Sequence, residues 1–262
     1  MTVDLRAASS LPRSELAALF TRAYEGYFVP VQVDEAALDL LERTFDLDFD
    51  ASLVAFADGE PVGLVNLGVR GDRGWIGGLG ILPEARRQGW GRILMDAIHE
   101  QARSRGIVKI SLEVIEANEA AFRLYENLGY DFLRWVEIGS LEAARGEAPP
   151  EEDWQAAHER IRADRHAPEP WQRDDETLGH YDDLRGLTTH SGAAIYRIAS
   201  NGPVIVMQFA GDEAAAREIL VRLRALAPVS ALNVPEDDAL VSVLRRLGGT
   251  IVLRQREMML PL

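Results

Sequence analysis

Apolar positions alternate over residues 3 to 8 and predict an opening strand. Ser9, Ser10 and Pro12 then introduce a helix through about Tyr24, with Leu16, Leu19 and Phe20 on one face. Asp34 is a good N-cap for a second helix, in which Leu38, Leu41 and Phe45 recur at helical spacing. An aromatic connection, residues 24 to 30, joins the two. Residues 52 to 56 and 62 to 66 are strand-like runs around Asp58-Gly59, a strong hairpin signal. A further strand is predicted at 75 to 82. A glycine-rich turn follows it, then a helix to about Arg105 whose Ile93, Leu94, Ala97, Ile98 and Ala102 share one face. Gly106 ends that helix. Residues 107 to 114 predict a strand, 118 to 128 a helix stopped by Gly129, and 130 to 138 another strand.

The pattern changes at about 141. Residues 141 to 188 are rich in acids, contain Pro149-Pro150 and hold three of the five histidines, with a fourth, His190, just beyond. They read as an acidic linker with a polar helix near 154 to 165. His158, His166, His180 and His190 match no metal-site spacing and are expected at the surface. From 189 the apolar periodicity returns: strands at 193 to 199 and 204 to 210 around Asn201-Gly202, a helix at 212 to 226, a strand at 229 to 234, a helix at 236 to 247 and a closing strand at 250 to 259.

This order repeats part of the first half. Leu232-Asn233-Val234 aligns with Leu112-Glu113-Val114, and residues 243 to 248 align with 124 to 129. On that register Glu113 becomes Asn233 and Tyr125 becomes Leu244. The expected organisation is therefore a catalytic domain over 1–140, a linker over 141–188 and a degenerate second copy over 189–262.

Composition narrows the chemistry. There is no cysteine, which excludes disulfides, thiolate metal sites and a cysteine nucleophile, and fits a cytoplasmic protein. No run approaches the roughly 18 apolar residues of a membrane helix, and the first residues lack a basic-then-apolar leader. Net charge is -14, which disfavours nucleic acid and suits either simple solubility or a cationic acceptor. Monomer and dimer both fit the sequence.

The chemistry-bearing turn is Arg86-Arg87-Gln88-Gly89-Trp90-Gly91-Arg92, between a strand and a helix. Glycines let the backbone approach a ligand, the N–H groups of a helix start point outward, and three arginines add charge suited to a diphosphate. A strand that stops at Pro83 and splays from its neighbour would leave backbone groups for an extended amide chain to pair with. Further on, Glu113 lies near a strand end and Tyr125 in the next helix. A carboxylate and a phenol are what amine acylation requires, because the amine must lose a proton and the departing thiolate must gain one. Tyr24, Tyr27 and Phe28 either cage a cation or staple two helices to the core.

Arg86-x-x-Gly89-x-Gly91 after Ile81-Leu82-Pro83, followed by Asn118-x-x-Ala121-x-x-Leu124-Tyr125-x-x-Leu128-Gly129-Tyr130, resembles the GCN5-related N-acetyltransferase (GNAT) superfamily over about residues 1 to 138. The resemblance implies an α/β (α+β) fold with a mixed, splayed sheet flanked by helices, here as two GNAT-like domains with a partial C-terminal copy. It implies acetyl-CoA as co-substrate and direct transfer to an amine, either a small molecule or a peptide N-terminus. Gly80 and Ile81 would hold the pantetheine, the loop of Arg86, Arg87, Gln88, Gly89, Trp90, Gly91 and Arg92 the diphosphate, and Asn118 the pantetheine arm. Tyr125 would protonate the leaving thiolate. Leu112-Glu113-Val114 resembles the strand of the ribosomal-protein alanine acetyltransferases whose Glu is the base; other members use ordered water instead. A CoA-binding sensor without turnover is the alternative class.

Overall fold

The computed structural model describes residues 2–150, 152–165, 167–200 and 202–262. It divides into two units, Met1–Leu133 with Glu257–Leu262, and Arg134–Arg256.

Unit 1 runs β1 (Val3–Ala7), α1 (Arg13–Ala23), α2 (Glu35–Phe45), β2 (Leu53–Ala57), β3 (Glu60–Arg70), β4 (Arg73–Ile81), α3 (Trp90–Ser104), β5 (Lys109–Ile115) and α4 (Glu119–Glu126), and then enters β6 (Asp131–Leu141). β1 to β4 are antiparallel neighbours, and β4 then pairs with β5 in parallel. Leu262 N–H donates to the Val108 carbonyl beside the start of β5. The helices follow the expected periodicity. Asp34 caps α2 by accepting from Ala37 N–H at 2.8 Å. Leu94, Met95 and Ile98 of α3 are fully buried, each stabilising the unit by roughly 1.5–3 kcal/mol relative to exposure. β3 and β4 are longer than the sequence runs predict, because the hairpin turns at Gly71, whose φ of 58° suits glycine, rather than across residues 67 to 74.

His99 of α3 is buried, with Nε2 2.9 Å from the Tyr130 hydroxyl. Burial pushes its pKa below the usual imidazole value, helped by Arg103 and opposed by Asp96 and Glu100. A His held neutral in the fold contributes stability that is complete above about pH 6.5 and lost as pH falls towards its folded pKa, since the unfolded chain takes up the proton first. Thermal melts should therefore fall more steeply between about pH 7.5 and 5.5 in the parent than in His99→Gln; equal slopes would remove His99 as the acid-sensitive group.

Unit 2 takes in residues 134 to 141 of β6, then α5 (Trp154–Asp164), α6 (Asp175–Leu178), β7 (Arg185–Thr189), β8 (Gly192–Ile198), β9 (Val204–Gly211), α7 (Glu213–Leu223), β10 (Val229–Pro235) and α8 (Ala239–Arg246), and leaves within β11 (Thr250–Pro261). β7, β8 and β9 are antiparallel, β9 and β10 parallel, and β10 runs antiparallel to β6. Its main core joins Ile219, Leu220 and Leu223 of α7 to Leu240, Val241 and Leu244 of α8 and to Val204 and Val206.

The stretch expected to be a linker belongs to this unit's fold. α5 buries Ala157 and Ile161 against Leu178, Ile195 and Met207. The acidic composition that suggested a linker is used in ion pairs: Arg165 to Asp175 at 2.9 Å and Arg173 to Glu169 at 2.9 Å. Hydrogen bonds from Arg165, Gln208 and His158 outweigh the effect of burial and hold the Asp175 carboxyl well below the usual carboxylate range. His158 is accordingly packed against Asp175 at 3.1 Å rather than exposed, and His180 is partly covered; His190 is exposed. His166 and Asn201 lie outside the described residues.

Candidate active site

The site grows from one strand. β4 pairs with β5 only over residues 73–75 against 109–111, yet continues to Ile81 along β3. Past Trp75 its β5-side edge is therefore open. Gly77 is an additional residue between Ile76, opposite Leu67, and Gly78, opposite Asn66; such a bulge bends and re-aims a strand. The glycines here serve close approach. A Cβ on Gly78 would lie 2.6 Å from the Tyr24 hydroxyl, and one on Gly80 2.8 Å from the Ala23 Cβ. The end of α1 thus lies directly on β4, and the Tyr24 hydroxyl is hydrogen-bonded to the Leu79 backbone.

After Ile81 the chain turns into the Arg/Gly loop. Arg87 (φ 62°) and Gly89 (φ 92°) both adopt left-handed backbone, which curls the loop so that successive amides face one side. Arg92 and Ile93 N–H donate to the Gly89 carbonyl at 3.0 and 3.2 Å. Among the described residues, no acceptor takes the amides of Arg87, Gln88, Gly89, Trp90 or Gly91. Unclaimed amides at a helix start, with the helix dipole behind them, fit a diphosphate.

The side chains of this loop divide by role. Arg86 turns inward: Nε donates to the Ile81 carbonyl (3.0 Å) and Nη2 to those of Ala23 (3.2 Å) and Glu25 (2.6 Å). It clamps the end of α1 to the end of β4, and its guanidinium is spent there. The Trp90 ring is 2% exposed, so only its backbone faces the cradle. Gln88 donates to the Glu84 carbonyl at 3.0 Å. Arg87 is exposed, and Arg92, also exposed, lies 3.4 Å from Asp96. Gly91 lets α4 close on the first turn of α3, since its Cβ would sit 3.3 Å from Leu124.

Two further groups flank the open edge. Glu113 stands on β5 two residues past Ser111, where pairing with β4 ends. Its Oε2 accepts from Trp75 Nε1 at 2.8 Å, and the Trp75 ring meets Phe45 edge-on at 5.8 Å. Tyr125 of α4 is buried, its ring 5.7 Å from that of Tyr130. Burial, reinforced by Tyr27, pushes the Tyr125 phenol well above the usual value, so it carries its proton at neutral pH. Tyr24 is raised likewise by burial and by Tyr27 and Tyr125. Tyr27 is hydrogen-bonded to the Asn118 side chain, which also caps α4 by accepting from Ala121 N–H at 3.2 Å.

Gly80, Ile81, the loop amides, Asn118 and Tyr125 thus gather along one edge, with Glu113 tied to β4 through Trp75. Trp75 was missed in the sequence. An indole beside a carboxylate on neighbouring strands has no local signature, because the pair is 38 residues apart. For the aromatic connection, the structure favours packing for Tyr24, which stacks on Phe20 at 5.1 Å; Phe28 is 52% exposed.

Comparison with known proteins agrees with this geometry. The model of the acetyltransferase (GNAT) family matches residues 14–130. An acetyltransferase of Pectobacterium atrosepticum is 36% identical over 99 residues, covering 38% of this chain and 70% of the relative. Among solved structures, a GCN5-related N-acetyltransferase from Sphaerobacter thermophilus aligns with a TM-score of 0.68 at 15% identity, over 99% of this chain and 95% of that one. One from Anabaena variabilis gives 0.61 at 14% identity, over 98% and 72%. At such identities the solved structures establish the fold alone, while the family model and the closer relative establish descent. The chain is an enzyme of the acetyltransferase (GNAT) family.

Proposed function

We propose that unit 1 transfers an acetyl group from acetyl-CoA to an amine, on a small molecule or a peptide N-terminus. The observation that carries this is the row of unclaimed amides from 87 to 91 at the start of α3, beside the open edge of β4. The amides and the exposed Arg87 would hold the diphosphate, and the β4 edge near Gly80 and Ile81 the pantetheine amides. Acetyl-CoA supplies the activated acetyl thioester. Glu113 takes the proton of the incoming ammonium, and the protonated phenol of Tyr125 delivers one to the departing sulfur.

Unit 2 reads as a degenerate copy. Its β9–β10 pairing over 204–206 and 229–231 corresponds to that of 73–75 with 109–111, which puts Asn233 where Glu113 stands. At the start of α7 the Asp212 carboxylate itself takes the Ala215 amide at 2.9 Å, and its charge opposes an anion there.

Calorimetric titration with CoA, and thiol release from acetyl-CoA over a panel of amines, test the proposal; neither heat nor release would end it. Gly89→Val adds a further check. The added Cβ meets nothing within 4 Å, while a backbone at φ 92° costs a β-branched residue roughly 1–2 kcal/mol or a changed loop. CoA affinity should fall about tenfold in calorimetry, equivalent to about 1.4 kcal/mol.

A further inference from the structure

Unit 2 repeats the strand plan of unit 1 up to the point where a cleft would open. β9 bulges at Met207, between Val206 opposite Tyr196 and Gln208 opposite Ile195, in the stretch where β4 bulges at Gly77. Beyond it the edges of β9 and β10 part. Buried polar groups on such edges are nearly always answered by a partner.

In unit 2 the partner is Arg173. Its carbonyl accepts from Gln208 Nε2 at 2.6 Å, and its Nη1 donates to the Leu232 carbonyl at 3.1 Å. Gln208 lies two residues past the last β9 residue paired with β10, and Leu232 one residue past the last on β10. One residue therefore spans the mouth between the strands. Arg173 is 1% exposed and Gln208 wholly buried. The charge is balanced on the spot: Nε donates to Glu169 Oε2 at 2.9 Å, and Asp238 faces the same guanidinium.

The chain around Arg173 is braced to keep it there. Trp171 is buried, and its carbonyl accepts from the Thr177 hydroxyl at 2.7 Å. Arg165 Nη2 donates to Gln208 Oε1 at 2.8 Å and to Asp175 Oδ1 at 2.9 Å, closing the far side of the same amide. The strand sequences differ accordingly. β4 carries Gly77, Gly78 and Gly80, whereas β9 carries Met207, Gln208, Phe209 and Ala210, with Met207 packed in the α5 core and Phe209 in the α7–α8 core.

We propose that residues 169–178 are the internal ligand of unit 2's cleft: they occupy, between β9 and β10, the place that the amide arm of CoA takes between β4 and β5. The second cleft is locked shut by its own chain, and the protein binds one CoA. The comparison with CoA rests on the function proposed above; the lock rests on bonds within unit 2.

Two measurements on the full chain test this separately. Titration with CoA should give one site per chain, and two sites would overturn the proposal. Hydrogen exchange should show peptides covering 171–178, 206–210 and 231–234 exchanging at least about tenfold faster in Arg173→Ala and in Gln208→Ala, with 87–128 unchanged. Arg173→Ala strands the buried Glu169 charge; should that variant not fold, Gln208→Ala, which removes a neutral amide and its methylene and strands no buried carboxylate, carries the measurement. Unchanged protection in the folded variants would overturn the lock. If CoA does not bind at all, the acetyl-transfer proposal fails and the exchange result still decides the lock.

Discussion

Tyr125→Phe should lower kcat by about 100- to 10,000-fold while CoA affinity stays within about threefold of the parent. The substitution removes one oxygen from a side chain that is already buried against Tyr130, so the ring and its packing persist. What disappears is a phenol kept protonated by burial and by its neighbour Tyr27. A phenol that stays protonated at neutral pH has a proton in place to give, and the sulfur needs one as the C–S bond breaks. The diphosphate cradle proposed above uses backbone amides of the loop and the first turn of α3, none of which involves this hydroxyl. Steady-state kinetics with CoA titration on the same preparation separates the two effects. An unchanged kcat would remove Tyr125 as the acid, and a parallel loss of CoA binding would make it a structural residue of the cleft.

Glu113→Gln should lower kcat/KM for the amine by about 100- to 10,000-fold. Gln keeps the shape of Glu and can still accept the Trp75 indole N–H, so the bond at 2.8 Å is conserved in kind. Melting temperature and CoA affinity should hold. The amide cannot take a proton from an ammonium, so the variant should recover rate as pH rises and more amine arrives deprotonated. A pH–rate profile of both proteins checks this. A loss below about threefold would transfer base duty to ordered water, the route other members of the superfamily use.

The sequence was legible where chemistry is local. The turn from 86 to 92 announces itself because a helix start needs glycine and a free amide row within a few residues, and the structure has that row. The same turn misleads at Arg86. Three arginines read as three ligands for phosphate, but the guanidinium meets the carbonyls of Ala23 and Glu25, more than sixty residues away. No local pattern distinguishes an arginine that binds from one that clamps. Gly77-Gly78-Leu79-Gly80 held a clue that went unread: glycines at 78 and 80 share one strand face, the spacing at which a helix can lie flush on a sheet. The segment 141–188 departs from the linker expected of it for the opposite reason. Its acids suggested solvation, whereas Glu169 and Asp175 are partners of Arg173 and Arg165. Composition counts charges without showing which of them neutralise one another.

The six residues Glu257–Leu262 count with unit 1 although 123 residues of unit 2 precede them. During synthesis at roughly 5–20 residues per second, α3, α4 and β5 are complete for about ten seconds before these closing residues emerge. Throughout that interval the flank of β5 is a bare template, open to pairing with a neighbouring nascent chain. Expression at lower temperature or with a chaperone that masks strand edges should raise the soluble yield, and removing residues 257 to 262 should make the exposure permanent.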